Sequence, residues 1–102
     1  MSRAEVISVV GLWHLGCVMA ACWAELGHRV VGVDGSADVV EGLRSGRAPI
    51  FEPGLDELLR ANLQKGNLTF TGDFRDAIPR SGFVFVAFDT PVDSNDRLDL
   101  AS

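Results

Sequence analysis

Six residues, Gly11-Leu12-Trp13-His14-Leu15-Gly16, separate an apolar β-branched run from an apolar stretch of helical spacing. Glycines placed this way do chemistry through the backbone. The first permits a tight turn, the last lets helix and strand pack closely, and the helix amides attract a diphosphate at the positive end of the helix dipole. The fingerprint asks for a further glycine so that the backbone can approach the pyrophosphate, and here that position holds Trp13. The attraction survives, because it depends on amides, but the indole must point out of the pocket or the turn must shift. His14 can offer a phosphate a donor, or act only as a partly exposed spacer. Asp34 stands 18 residues after Gly16, close to the spacing at which a carboxylate accepts hydrogen bonds from the adenosine ribose. That acid favours NAD and repels the extra phosphate of NADP, and no arginine follows directly to neutralise it. The alternative is a degenerate or truncated scaffold whose glycine-rich turn binds no cofactor.

These residues need strands and helices to position them. Residues 5–10 (EVISVV) predict a buried strand. From about His14 to Leu26, Val18, Met19, Cys22 and Leu26 recur at helical spacing, with Ala20, Ala21 and Ala24 small enough for close packing. Gly27 is a natural stop. Residues 29–33 (RVVGV) predict a second strand. Ser36 caps a short helix carrying Val39, Val40 and Leu43, ended by Gly46. After a loop (RAPIFE), Pro53 is expected in the first turn of a helix carrying Leu55, Leu58, Leu59 and Leu63. LTFT predicts a third strand. Asp73 caps a brief helix through Ile78, which Pro79 ends. Residues 83–88 (FVFVAF) read as a strand buried on both faces, as in a parallel sheet.

The order β-α-β-α-α-β-α-β predicts an α/β protein: a Rossmann-like, doubly wound parallel sheet with helices on both faces and strand order 3-2-1-4. Residues 1–91 are expected to form the dinucleotide-binding domain. Residues 92–102 are a polar tail, read as a truncation point of a longer chain or a flexible terminus.

The chain has 102 residues, 47% of them apolar, which suffices for one small domain with a core. Its net charge is −5, and its nine basic residues are scattered, so neither nucleic acid nor an anionic membrane is an expected partner. No apolar run approaches the roughly 20 residues of a membrane span. The N-terminus lacks the pattern of a secretory signal, so the expected compartment is the cytoplasm. Cys17 and Cys22 form no metal-ligating pattern and read as buried packing residues.

Three further stretches, GHRVVGVD (27–34), APIFEPGLDELL (48–59) and FVAFDTPVDSNDRLDL (85–100), combine with the turn in a recognisable order. Together they resemble the N-terminal domain of the UDP-glucose/GDP-mannose dehydrogenase family, with P-I-F-E-P-G-L the most specific part. Within the family the turn and Asp-Thr-Pro look most like the enzymes acting on UDP-sugars. The resemblance implies an enzyme that oxidises a sugar C6 alcohol to a carboxylate with two NAD, its first domain holding the cofactor. It implies that the catalytic Cys, Lys and Asn, the UDP-sugar site and the helical region that makes the full-length enzyme a homo-oligomer lie beyond residue 102. No catalytic residue is therefore expected here.

By the same resemblance, Gly11, Leu15 and Gly16 match the phosphate turn, Asp34 the ribose-binding acid, and Thr90 a cofactor-contacting threonine. Thr90-Pro91 can equally be a turn that ends a strand. Glu52-Pro53-Gly54 reads as an architectural loop. This chain departs from the family pattern at Trp13, His14, Val39 and Asp89. Val39 stands where a Lys or Arg often helps hold the adenosine side, and Asp89 puts an acid beside Thr90. A dehydrogenase acting on a hydroxy acid shares the turn but not the P-I-F-E-P-G-L segment.

Overall fold

The computed structural model describes residues 6–87. Four parallel strands, β1 (Val6–Val10), β2 (Arg29–Val33), β3 (Leu68–Thr71) and β4 (Phe83–Val86), lie in the order β3-β2-β1-β4, as the sequence predicts. Between them run α1 (Leu15–Glu25), α2 (Ala37–Arg44), α3 (Leu55–Lys65), α4 (Phe74–Ala77) and a 3-10 turn, Ile78–Arg80. The register aligns the strand ends, with Val10 opposite both Val33 and Val86 and Val33 opposite Thr71. Gly11, Asp34, Gly72 and Ala87 therefore emerge side by side along one carboxyl edge, the edge at which open α/β sheets bind ligands.

The main core lies on one face of the sheet. Ile7, Val9, Val30, Leu68 and Phe70 pack there against Cys17, Ala20, Ala21 and Ala24 of α1, Val40 and Leu43 of α2, and Leu55 and Leu59 of α3. On the opposite face Val31 and Val33 pack against Ala77, with Val6 and Val10 at the margin. Buried Ser8 on this face is satisfied by Ser81, whose hydroxyl in turn donates to the Ala77 carbonyl at 3.0 Å. Ser36 caps α2 by accepting from the Val39 amide at 3.3 Å, and Asp73 caps α4 by accepting from the Arg75 amide at 3.0 Å.

Four local expectations are corrected. Of the helically spaced Val18, Met19, Cys22 and Leu26, Val18 packs against the core while only partly buried, but Cys22 is exposed and Leu26 is 73% exposed, so the four do not make the inner face of helix α1. Its buried stripe is Gly16, Cys17, Ala20, Ala21 and Ala24. A helix that is apolar on nearly every side gives no periodic signal, and close approach to the sheet selects the small residues. Strand β4 is not buried on both faces, since Phe83, Val84, Phe85 and Val86 are all exposed. It is paired with β1 alone among the described residues, and only Phe85 gains a ring neighbour, Trp23, at 4.3 Å between centroids. Pro53 precedes α3 rather than opening it, because a turn closes first from the Leu55 amide to the Glu52 carbonyl at 3.0 Å. Pro79 sits inside the 3-10 turn, while the α-helix itself ends at Ala77.

A polar knot went unread in the sequence. Asn62, fully buried on α3, donates to Glu25 Oε1 and to the Leu58 carbonyl, both at 3.0 Å. Its own oxygen accepts from Asn67 Nδ2 at 3.3 Å, and Asn67 also reaches the Ala24 carbonyl at 3.2 Å. The Asn67 carbonyl then accepts the Val30 amide at 2.8 Å. Two side-chain amides, of Asn62 and Asn67, together with the Asn67 carbonyl thus tie the ends of α1 and α3 to the start of β2. Asn62→Ala removes three hydrogen bonds made by a fully buried side chain and is expected to cost about 1–3 kcal/mol, read as a lower urea midpoint; an unchanged midpoint would contradict the role given to the knot.

Candidate functional site

The turn after β1 is built around a carbonyl. Gly11 has φ +92°, and a Cβ there would lie 2.5 Å from the Ala87 carbonyl oxygen. At Gly16 a Cβ would lie 1.7 Å from the Gly11 carbonyl oxygen. The first turn of α1 rests directly on the turn's own backbone, and only hydrogen fits between them. Gly11 donates to the Val33 carbonyl at 2.9 Å, and Ala87 donates to the Val10 carbonyl at 2.8 Å. Strands β2 and β4 thereby hold the loop from both sides.

Leu12 locks it from below. Its side chain is fully buried in the core, beside Gly32 and Phe70. Its amide donates to Asp34 Oδ2 at 2.8 Å, and the other oxygen of Asp34, Oδ1, accepts the Ser36 amide at 2.9 Å. Asp34 thus joins the phosphate turn to the loop that opens α2. An ionised carboxylate has about four acceptor sites, so with two used, two remain for other donors. The backbone amide of Asp34 is itself fixed to the Thr71 carbonyl at 3.2 Å.

Trp13 leans toward α2. It lines a cavity of about 290 Å³ with Asp38, Val39, Gly42, Arg47 and Pro49. A second cavity, of about 230 Å³, lies on the other side of α2 and is lined by Asp34, Gly35, Ala37, Val40, Glu41, Arg44 and Gly72. His14 occupies the N-cap position of α1 without a capping side-chain bond to the helix. Its Nε2 instead meets Glu52 Oε1 at 3.0 Å, with both side chains about half exposed. Leu15, the first residue of α1, is 52% exposed. Thr90 and Asp89 lie outside the described residues.

The fold therefore brings Gly11, Trp13, His14, Leu15, Gly16 and Asp34 to one edge. It adds Leu12, Glu52, Arg47 and Ala87, which the local pattern did not single out as site residues. Nothing in the local pattern marks Leu12, and its amide bond to Asp34 follows from strand register. Glu52 reaches His14 only because the segment before α3 folds back over the turn. That segment is held by Asp56, whose Oδ1 accepts the Ala48 amide at 3.0 Å.

Asp56 also faces Cys17. Burial first, and the Asp56 carboxylate second, push the Cys17 thiol up to about 12 from its usual 9.0. The thiol stays protonated and inert at neutral pH, so the cysteine nearest the phosphate turn is a packing residue. A thiol-alkylating reagent at pH 8 is expected to label Cys22 rapidly and Cys17 only after unfolding; equal labelling of both in the native chain would contradict this. Gly16→Ala must push α1 off the Gly11 carbonyl and is expected to lower stability by roughly 1–3 kcal/mol or more. Its urea unfolding curve checks this, and a wild-type midpoint would contradict the close contact.

Comparison with known proteins agrees with this geometry. Residues 5–102 match the family model for the NAD binding domain of the UDP-glucose/GDP-mannose dehydrogenase family. The chain is 42% identical to a UDP-glucose 6-dehydrogenase of Rhizobium meliloti (strain 1021) over 83% of its length, covering 20% of that protein. It is also 42% identical to a GDP-mannose 6-dehydrogenase of Pseudomonas aeruginosa over 92% of its length, covering 22% of that protein. Among solved structures, a UDP-glucose dehydrogenase from Pyrobaculum islandicum superposes with a TM-score of 0.82 at 42% identity, over 91% of this chain and 22% of that one. The chain spans about a fifth of the length of these relatives. With the sheet order, the glycine turn and the edge acid all in place, the chain belongs to the UDP-glucose/GDP-mannose dehydrogenase family as its NAD-binding domain.

Proposed function

We propose that this chain holds NAD for the oxidation of the C6 alcohol of a nucleotide-linked sugar to a carboxylate, the chemistry being completed by residues outside it. The observation that carries the reading is the joint state of the cradle and the acid. Gly11 and Gly16 leave no room for a Cβ, and Asp34 retains acceptor capacity beside them. This donor and acceptor set fits a dinucleotide. The N-terminal amides of α1 face an anion with the favourable end of the helix dipole. Asp34 accepts from the ribose hydroxyls, and its charge opposes a phosphate at the same place.

NAD, when bound, supplies the hydride acceptor for the alcohol. The chain's own residues bind and orient it: the turn fixes the diphosphate and Asp34 fixes the adenosine ribose. In this reading Leu15 contributes its place on the first turn of α1, and His14 is a polar neighbour steered by Glu52. Thr90, from the segment after β4, is proposed as a further contact on the resemblance of Asp-Thr-Pro to the family pattern. The relatives support a nucleotide-sugar substrate, and their names include both UDP-glucose and GDP-mannose 6-dehydrogenases at equal identity. The UDP-sugar reading rests on the likeness of the turn and of Asp-Thr-Pro.

Calorimetric titration of the chain with NAD and NADP tests this. NAD is expected to bind saturably and more tightly than NADP. Asp34→Asn should weaken NAD by about tenfold, one charge-assisted hydrogen bond's worth, and narrow the gap to NADP. No saturable NAD signal up to millimolar concentration would overturn the reading.

A further inference from the structure

The cavity beside Trp13 draws on three separate parts of the chain: the phosphate turn, α2 (Asp38, Val39, Gly42) and the loop before α3 (Arg47, Pro49). Two of its residues carry chemistry that the glycine fingerprint does not contain, an indole and a guanidinium. The backbone around Arg47 is pinned. Its amide donates to the Gly42 carbonyl at 2.8 Å, and the next amide, of Ala48, donates to Asp56 at 3.0 Å. Gly46 is buried against the Arg60 side chain, which a Cβ there would meet at 2.5 Å. The Arg47 side chain, by contrast, is exposed, and among the described residues it pairs with no carboxylate, although Asp38 lines the same cavity.

An unpaired cation on a fixed stretch of backbone, facing a cavity that opens beside a diphosphate turn, suits an anionic ligand. Trp13 is both a residue of the turn and a wall of the cavity. It directly follows Leu12, whose amide sits on Asp34, so the indole springs from the point between the diphosphate seat and the ribose acid. Val39, another wall residue, is apolar and can supply contact but no charge.

We propose that Trp13 and Arg47 form a subsite for the adenosine half of NAD, Arg47 pairing with an anionic oxygen of the diphosphate and Trp13 covering the ribose. The proposal rests on the reading that the turn holds NAD. It makes the bulky residue in the glycine turn a part of the binding surface rather than an obstacle, and it assigns the positive charge of that surface to a loop distant in sequence.

The test uses the whole chain with NAD and with ADP-ribose, which keeps the adenosine half and the diphosphate but lacks nicotinamide. Arg47→Ala is expected to weaken both by about tenfold and to make binding less sensitive to salt, whereas Arg47→Lys should recover part of the loss. Trp13→Gly should weaken both as well, and in a Trp23→Phe chain the emission of Trp13 should change as ADP-ribose binds. Circular dichroism shows whether each variant is folded, and Arg47, being exposed, is the substitution least able to disturb the fold. NAD affinity within twofold of wild type in Arg47→Ala, or unmoved Trp13 emission at saturation, overturns the subsite. If Asp34→Asn lowers affinity while Arg47→Ala does not, the subsite alone fails. If neither changes it, or wild type does not bind, the turn reading fails with it.

Discussion

Everything at the carboxyl edge depends on how closely α1 sits on the Gly11 carbonyl. The hypothetical Cβ of Gly16 falls 1.7 Å from that oxygen, well inside any contact two atoms tolerate. Because the helix starts there, its amides point over the edge where β1, β2 and β4 end in register. The buried stripe of α1 continues the same logic. Cys17, Ala20, Ala21 and Ala24 keep the helix near the sheet along its length, and larger residues there would lift the axis. The Asn62 knot fastens the far end.

Asp34 has one role in the structure and a second in the proposed function. In the protein itself it is a structural acceptor, bonding the Leu12 and Ser36 amides and so joining two loops. For the ribose contact proposed for it, it has acceptor capacity left over. The first role prepares the second, since a carboxylate already held by two backbone amides has little freedom to lose when a ribose arrives. The same economy appears at Leu12, where the side chain fills the core while the amide orders the site.

The segment before α3 links the family-specific part of the sequence to the general one. Glycine turns of this type recur in many dinucleotide folds, whereas the stretch from Ala48 to Leu59 does not. The structure lays that stretch against the turn through His14 and Glu52 and holds it by Asp56. The strongest sequence signal of family and the residues of the binding edge thus belong to one surface. Cys17, buried beneath it beside Asp56, is kept protonated by its surroundings.

The sequence by itself determined the strand order, the turn, the edge acid and the family. Each of these is written in short-range terms: glycine at a fixed spacing, β-branched runs of strand length, an acid after the second run, serine and aspartate at helix starts. It did not determine which side of α1 faces inward, because alanine, cysteine, valine and leucine around the whole helix leave no periodic contrast. It did not show that β4 is exposed, because a run of apolar residues reads the same at an edge as in the middle of a sheet. Nor could it reveal what Trp13, His14 and Arg47 face. Those pairings join residues far apart in the chain, and only the packing of α2 and the loop before α3 against the turn sets the distances between them.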